Sequence, residues 1–184
     1  MQNTVGAPDW STIPAPHDDG ATRHLLGARL ASVPLHSTGG ELVDLSALAG
    51  RTIVYAYPRT GKPGIDNPEG WDMIPGARGC TPQSCSFRDH FDELQAPGVG
   101  HLFGLSTQDM EYQREAAERL HLPFAPLSDE QLYLTRAMRL PTFETGGMSL
   151  LKGFTLVSCF SQSKDELVIE FNNATSSVFI KALV

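Results

Sequence analysis

Thr52-Ile-Val-Tyr-Ala-Tyr-Pro58 and Arg78-Gly-Cys-Thr-Pro-Gln-Ser-Cys-Ser-Phe-Arg-Asp89 are the two stretches that decide how this chain folds. The first is apolar and rich in β-branched and aromatic residues. That fits a central strand covered on both faces, and Pro58 ends it. The second is a turn that becomes a helix. Thr81 is suited to cap the helix, and Pro82 suits its first position, where no amide donor is needed. Phe87, Phe91 and Leu94 follow at i, i+4 and i+7 and make one apolar stripe. Ala96-Pro-Gly98 stops it.

Working outward, residues 30–35 read as a short strand, 36–40 as a turn and 41–45 as the returning partner of a hairpin. Residues 44–50 form a single helical turn closed by Gly50. Downstream, 101–106 is a second buried strand. Thr107 or Asp109 caps a helix that runs through Met110, Ala117 and Leu120. Residues 124–127 form a short strand, and Ser128 starts a further helix to about Met138. Residues 149–158 and 166–171 are two final strands around a polar turn at 162–165. This alternation predicts an α/β fold, its central mostly parallel or mixed sheet flanked by helices and ending in a hairpin. Residues 1–23 lack apolar periodicity and read as a flexible arm, leaving 24–184 as a single domain. Inside it, residues 59–79 hold five glycines and three prolines and form one long irregular loop. Loops of that length in compact domains are usually functional or disordered.

The composition, 41% hydrophobic and 19% charged over 184 residues, is that of an ordinary globular protein. The formal net charge of -7 argues against nucleic acid as a main partner, because phosphate binding needs a basic face. No apolar run approaches the ~20 residues that span a bilayer, so no membrane partner is expected. The N-terminus has neither the basic start nor the apolar core of a secretory signal. Three cysteines are too few for a disulfide scaffold. The expectation is a cytoplasmic protein, monomeric or homodimeric, whose cysteines are catalytic or metal-binding.

Cys80 and Cys85 bracket the start of the helix. The thiolate is the nucleophile, and a free cysteine with a pKa near ~8.5 is mostly protonated in the cytosol. Unpaired amides and the positive end of the helix dipole favour the anion at Cys80, and Arg78 and Arg88 are expected to add positive charge. An exposed thiolate attacks the weak O–O bond of a hydroperoxide and becomes a sulfenic acid. Residues five apart in an ideal helix have Cα atoms ~8.6 Å apart, beyond the ~7 Å limit for a disulfide. If Cys80 and Cys85 join, the first helical turn must unwind. The competing readings are two inert buried thiols, or a zinc site using His90. Zinc needs two more ligands, and no second Cys or His pair accompanies His90. Cys159 reads as an inert buried thiol in a strand. Asn173-Ala-Thr175 matches a glycosylation acceptor but means nothing without a signal peptide.

Taken together, Tyr57-Pro58 after a buried strand and Gly79-Cys-Thr-x-x-x-Cys85-x-Phe87-Arg88-Asp89 resemble the Q-type peroxiredoxins, the bacterioferritin-comigratory-protein group, and the wider redoxins. Gly104-Leu-Ser-Thr-Gln-Asp109 and Leu122-Pro-Phe-x-x-Leu-Ser-Asp129 are similar to two further segments of that family. The resemblance runs from Ala28 to Val157. It implies a thioredoxin-like fold and a thiol peroxidase acting on hydrogen peroxide or organic hydroperoxides. Cys80 would be the peroxidatic cysteine and Cys85 the resolving one, joined within the chain. Electrons would come from thioredoxin or glutaredoxin, and no cofactor, metal or haem is implied.

Three departures bear on the site. The family has Pro and Thr or Ser seven and three residues before its peroxidatic cysteine, where this chain has Met73 and Ala77. Pro58-Arg-Thr60-Gly-x-Pro-Gly64 is similar to that lead-in, displaced by an insertion. Pro58 would then line the substrate site, and Thr60 would fold back onto thiolate and peroxide. The family also has an Arg on a later strand, two residues before a Ser or Thr. If Thr155 is that Ser or Thr, and contacts substrate, the Arg position is Gly153, and Lys152 or Arg88 would replace the charge. The tail after Val157 matches no usual family ending. These departures motivate a second hypothesis, a redox sensor or partner-binding module on the same scaffold.

Overall fold

Strand β3 (Gly50–Ala56) is buried from Thr52 onward, as its sequence requires. The computed structural model describes residues 13–15, 17–95, 98–161 and 164–170, with the backbone alone over 159–170. Beside β3 lie β4 (Val99–Ser106), parallel to it, and β8 (Phe154–Ser161), antiparallel. The sheet extends through β5 (Leu127–Ser128) to the hairpin of β1 (Pro34–Ser37) and β2 (Leu42–Asp44), and through β9 (Lys164–Glu170) on the other side. Its strand order is β2-β1-β5-β4-β3-β8-β9. Parallel pairing is confined to β3, β4 and β5, and the flanks are antiparallel, so the sheet is mixed.

Alternation along β3 sorts the core. Ile53 and Tyr55 face one side with Tyr57, and there they meet Phe87 and Leu94 from α1 (Cys80–Asp89) and α2 (Phe91–Gln95). Val54 and Ala56 face the other side, against Leu134 and Met138 of α4 (Tyr133–Met138). Helix α3 (Met110–Leu120) is capped by Asp109, whose carboxylate accepts from the Tyr112 N–H at 2.7 Å. Of the two expected caps, Asp109 is the one used.

The N-terminus of α1 differs from expectation. Gly79, at φ +104°, turns the chain into the helix, and Cys80 is its first residue. A left-handed φ costs glycine nothing, so the turn closes two residues before Pro82. Pro82 is still tolerated because the first helical amides lack partners anyway. Thr81 is not the cap, and its hydroxyl instead accepts from the Gly61 N–H at 3.3 Å. Helix α4 also starts late. Ser128 completes β5, and the buried Asp129 carboxylate accepts from the N–H groups of Leu134 and Thr135 at 3.1 and 2.7 Å.

Residues 149–158 are two strands rather than one. Lys152-Gly153 divides them, and β7 (Met148–Leu151) pairs with β6 (Thr142–Thr145) in a separate ribbon. Gly146 and Gly147, both at positive φ, make its turn. The long loop is docked on this ribbon. Its single 3-10 turn, Trp71–Met73, places Trp71 against Phe143, and Trp71 and Ala77 pack with Leu150 in a small third cluster. The turn between β8 and β9 lies partly outside the described residues, as do Phe171, most of the proposed arm and the glycosylation-like triplet. Cys159 lies in β8 opposite Arg51, and its side chain is outside what is described.

Gly104 shows how tightly the Tyr55 face is packed. A Cβ there would lie 2.9 Å from the Tyr55 hydroxyl and 3.0 Å from the Tyr57 ring. Gly104→Ala is therefore expected to destabilise the fold by about 1–3 kcal/mol, read as a lowered Tm in thermal denaturation. An unchanged Tm would contradict this packing.

Candidate active site at the start of helix α1

Cys80 sits where the helix dipole favours an anion, yet its side chain is only 4% exposed. Its Sγ lies 3.5 Å from the Ala77 carbonyl, which accepts from the thiol. The backbone amides of Arg59 and of Cys80 itself favour the thiol's ionised form. Burial acts against them and prevails, pushing the thiol up from 9.0 to about 11. The expectation of a thiol primed to ionise by the helix start is corrected here.

The expected cations are elsewhere. Arg78 forms a fork onto Asp72, with Nη2 to Oδ2 at 2.7 Å. Arg88 pairs with Asp89 at 2.8 Å and donates to the Leu120 carbonyl at 2.7 Å. It lies one helical turn beyond Cys85, and that thiol is the one it senses. Lys152 is ion-paired with Asp19 on the surface. Each long side chain has found a carboxylate at the rim, where its charge stays hydrated, instead of entering the packed space around Cys80.

The displaced lead-in reaches the start of α1 through the Gly61 N–H bond to Thr81, and is otherwise held by β4, α3 and the turn between them. Pro58 is buried, and its carbonyl accepts from the Ser106 hydroxyl at 3.0 Å. The Thr60 N–H donates to Gln108 Oε1 at 3.2 Å, and the Thr60 carbonyl accepts from the Tyr112 hydroxyl at 2.9 Å. Gln113 holds this turn from beneath. Its Nε2 donates to the carbonyls of Gln108 and Leu127, and its Oε1 accepts from the Tyr57 hydroxyl at 3.1 Å. Arg59 reaches outward, its guanidinium 5.2 Å from the Tyr112 ring centre. Thus Pro58, Arg59 and Thr60 are held by residues running from the end of β4 to the start of α3.

Among the described residues three buried hydroxyls are without partners, and two of them, Thr60 Oγ1 and Thr155 Oγ1, belong to residues expected at the site. Thr155 stands opposite Tyr55 in the β3–β8 register, hence on the face that α1 covers. Thr52 Oγ1 is a third such group but shares the parity of Val54 and Ala56, on the far face. A buried polar group without a partner costs about 1–3 kcal/mol, and such a cost at a site calls for an explanation. At the departure positions, Met73 is 66% exposed in the docked loop, and Ala77 supplies the carbonyl under Cys80.

Cys80 and Cys85 are both free thiols, and Cys85 is partly exposed. Both lie within α1, so their Cα atoms are set apart by the helical rise and rotation. Between them, Ser84 Oγ donates to the Cys80 carbonyl at 3.0 Å and accepts from the Tyr55 hydroxyl at 3.2 Å. Among the described residues, no three His, Cys, Asp or Glu side chains converge as metal donors, and no helix is long and apolar enough to cross a membrane. Sequence reasoning missed Gln108, Gln113 and Tyr112. The signal available for them was their position in and after the Gly104-Leu-Ser-Thr-Gln-Asp109 turn.

Comparison with known proteins bears on the fold and the family. Peroxiredoxin Bcp of Escherichia coli strain K12 is 40% identical over 92 residues, which are 50% of this chain and 49% of that protein. Chloroplastic peroxiredoxin Q of Triticum aestivum is 30% identical over 128 residues, 66% of this chain and 52% of that protein. The aligned part is thus well under two thirds of these curated relatives' own length. Peroxidoxin BcpB of Mycobacterium tuberculosis superposes with a TM-score of 0.62 at 21% identity, over 86% of this chain and 93% of that one. Bacterioferritin comigratory protein of Xanthomonas campestris, which has alkyl peroxide reduction activity, gives 0.61 at 19% identity, over 86% and 94%. These likenesses show the fold, which is thioredoxin-like α/β. A family model described as Redoxin matches residues 11–174, a span that takes in Pro58, Thr60, Cys80 and Cys85, and the chain belongs to the Redoxin family.

Proposed function

We propose that this protein is a thiol peroxidase in which Cys80 reduces a hydroperoxide and Cys85 resolves the product. The observation that carries this reading is the Gly61 N–H bond to Thr81, which ties the segment of the unpartnered Thr60 hydroxyl to the first turn of α1, where the Arg59 and Cys80 amides favour charge on the buried sulfur. Amides that favour charge on a sulfur stabilise negative charge as it develops during attack. The Thr60 hydroxyl, one residue from the Arg59 amide, is free to bond a peroxide oxygen. Thr155 supports the pocket from the sheet, and Pro58 closes it beside the loop. Arg88, paired with Asp89 and three residues after Cys85 in α1, stands nearer in the helix to the resolving thiol than to Cys80.

The first step transfers one oxygen. The Cys80 sulfur bonds the distal peroxide oxygen, the O–O bond breaks, and the thiol proton ends on the leaving alkoxide or hydroxide. Cys80 becomes a sulfenic acid, and the peroxide becomes an alcohol or water. In the second step the Cys85 sulfur attacks the Cys80 sulfur and water leaves. A reduced dithiol protein of the thioredoxin or glutaredoxin type then restores both thiols by exchange. The substrate class is supported by the named activity of the Xanthomonas relative.

A second reading, a redox sensor with weak peroxidase activity, is favoured by the absence of any charged group from the influences on Cys80. A coupled assay with thioredoxin, its reductase and NADPH separates the two. Fast cycling at micromolar peroxide supports the enzyme; a disulfide that forms only slowly supports the sensor.

Cys80→Ser is expected to abolish peroxide consumption. Cys85→Ser is expected to consume one equivalent and stop with sulfenic acid on Cys80, or to consume a second equivalent where intact mass shows sulfinic acid. Full turnover by the Cys80→Ser protein would end the peroxidase reading.

Thr60→Val separates site from scaffold. It removes a buried hydroxyl that has no partner, so stability is expected to hold or rise by up to about 1 kcal/mol. Peroxide reduction is expected to fall about tenfold or more. Unchanged peroxide kinetics would remove Thr60 from the site.

The pH dependence follows from burial. With the Cys80 thiol at about 11, the thiolate fraction grows with pH throughout the neutral range. Alkylation of Cys80 in the Cys85→Ser protein is expected to quicken about tenfold per unit between roughly pH 7 and 9. A plateau beginning near pH 6 would show a thiol already ionised and would overturn this assignment.

A further inference from the structure

We propose that Tyr55 and Ser84 are positioning residues that latch the first turn of α1, so that they set how oxidised Cys80 divides between a disulfide with Cys85 and further oxidation. This rests on the roles given above to the two cysteines.

Ser84 stands next to Cys85 and one turn after Cys80, and it is 1% exposed. Its hydroxyl is bonded on both sides, donating to the Cys80 carbonyl and accepting from the Tyr55 phenol. Tyr55 belongs to β3 in the middle of the sheet. Its ring stacks on Phe87 at 4.4 Å and on Tyr57 at 5.5 Å, with Phe124 edge-on at 5.8 Å. The phenol is therefore a fixed point of the core, and Ser84 ties the moving turn to it.

The turn has to move. At helical spacing the two Cα atoms are ~8.6 Å apart, and a disulfide needs them within ~7 Å. Opening carries Ser84 away from the Cys80 carbonyl and from Tyr55. The phenol, fully buried, is then left without its partner, which disfavours the open state. Burial holds the Tyr55 proton well above its usual range, and negative charge at either Cys80 or Cys85 strengthens that hold. Tyr55 thus stays a donor whichever thiol is ionised.

The latch matters at one branch point. From the sulfenic acid, the Cys85 thiol can attack Cys80, forming S–S and releasing water. Alternatively, a second hydroperoxide transfers another oxygen, giving a sulfinic acid and an alcohol or water. The first branch needs the open turn, and the second proceeds with the turn closed. A firmer latch favours the second branch.

The experiment uses the reduced full chain, as wild type, Tyr55→Phe, Ser84→Ala and the double variant, mixed with hydrogen peroxide. Thiols are quenched by alkylation over time, and intact mass counts sulfenic, disulfide and sulfinic forms. Tyr55→Phe is expected to leave the first oxidation within about twofold and to speed disulfide formation roughly three- to tenfold, the range of one hydrogen bond. The peroxide concentration that gives half sulfinic acid should rise by the same factor. On the Ser84→Ala background, Tyr55→Phe should add no acceleration, since the bond is already gone. Disulfide rates equal to wild type in Tyr55→Phe, or accelerations that multiply in the double variant, would overturn the latch. Amide hydrogen exchange at Gln83 and Ser84 in the reduced proteins provides an arm without peroxide. Faster exchange in Tyr55→Phe supports the latch, and unchanged exchange overturns it. If wild-type Cys80 does not react with peroxide at all, the peroxidase reading fails instead, and the exchange arm still decides the latch.

Discussion

The site depends on how the backbone at Pro58–Thr60 is pinned. A short chain segment leaving a buried strand has no secondary structure of its own, so each of its polar groups needs a partner from elsewhere. Here Ser106, Gln108 and Tyr112 supply those partners, and Gln113 secures Gln108. All four lie at the end of β4, in the turn that follows it, or at the start of α3. The Arg59 amide, which favours charge on Cys80, is held in place because its neighbours on both sides are tied down. A loop of Gly and Pro residues can therefore intervene between Thr60 and Cys80 without loosening their relation. The loop itself is anchored at a third point, where Trp71 and Ala77 pack onto the β6–β7 ribbon.

What the sequence makes legible is what short-range periodicity controls. The β3 core, the Phe87 and Leu94 stripe, the Asp109 cap and the β1–β2 hairpin all follow from residues within a few positions of one another. The helix start was misplaced because Gly79 can take a left-handed φ that Thr81 would take only with strain, so Gly79 outranks the better side-chain cap. The β6–β7 ribbon was missed because Lys152 and Gly153 do not interrupt an otherwise apolar run strongly enough to reveal two strands. Its Gly146-Gly147 turn was the available signal.

The charges around Cys80 were not legible for a different reason. Sequence proximity placed Arg78 and Arg88 near the sulfur, but a long side chain chooses its partner by solvation. Asp72 and Asp89 offer carboxylates at the rim, where pairing entails little desolvation. The packed face of Tyr55, Tyr57 and Phe87 offers no such place. Burial therefore raises the thiol, and the helix start does not offset it.

The magnitudes show why. Raising a thiol from 9.0 to about 11 disfavours the thiolate by about 3 kcal/mol. The end of a helix is worth about 0.3–1 kcal/mol, and up to ~2 kcal/mol when partly buried. The dipole argument has the right sign but too small a size to prevail over dry walls. In the proposed reaction, amides that favour charge on the sulfur become worth more as charge moves onto the peroxide oxygens, since they need no rearrangement at that moment. On that reading the site is better suited to stabilising the oxygen-transfer transition state than to storing a thiolate. The same burial that suppresses the resting anion also makes each donor around it count for more.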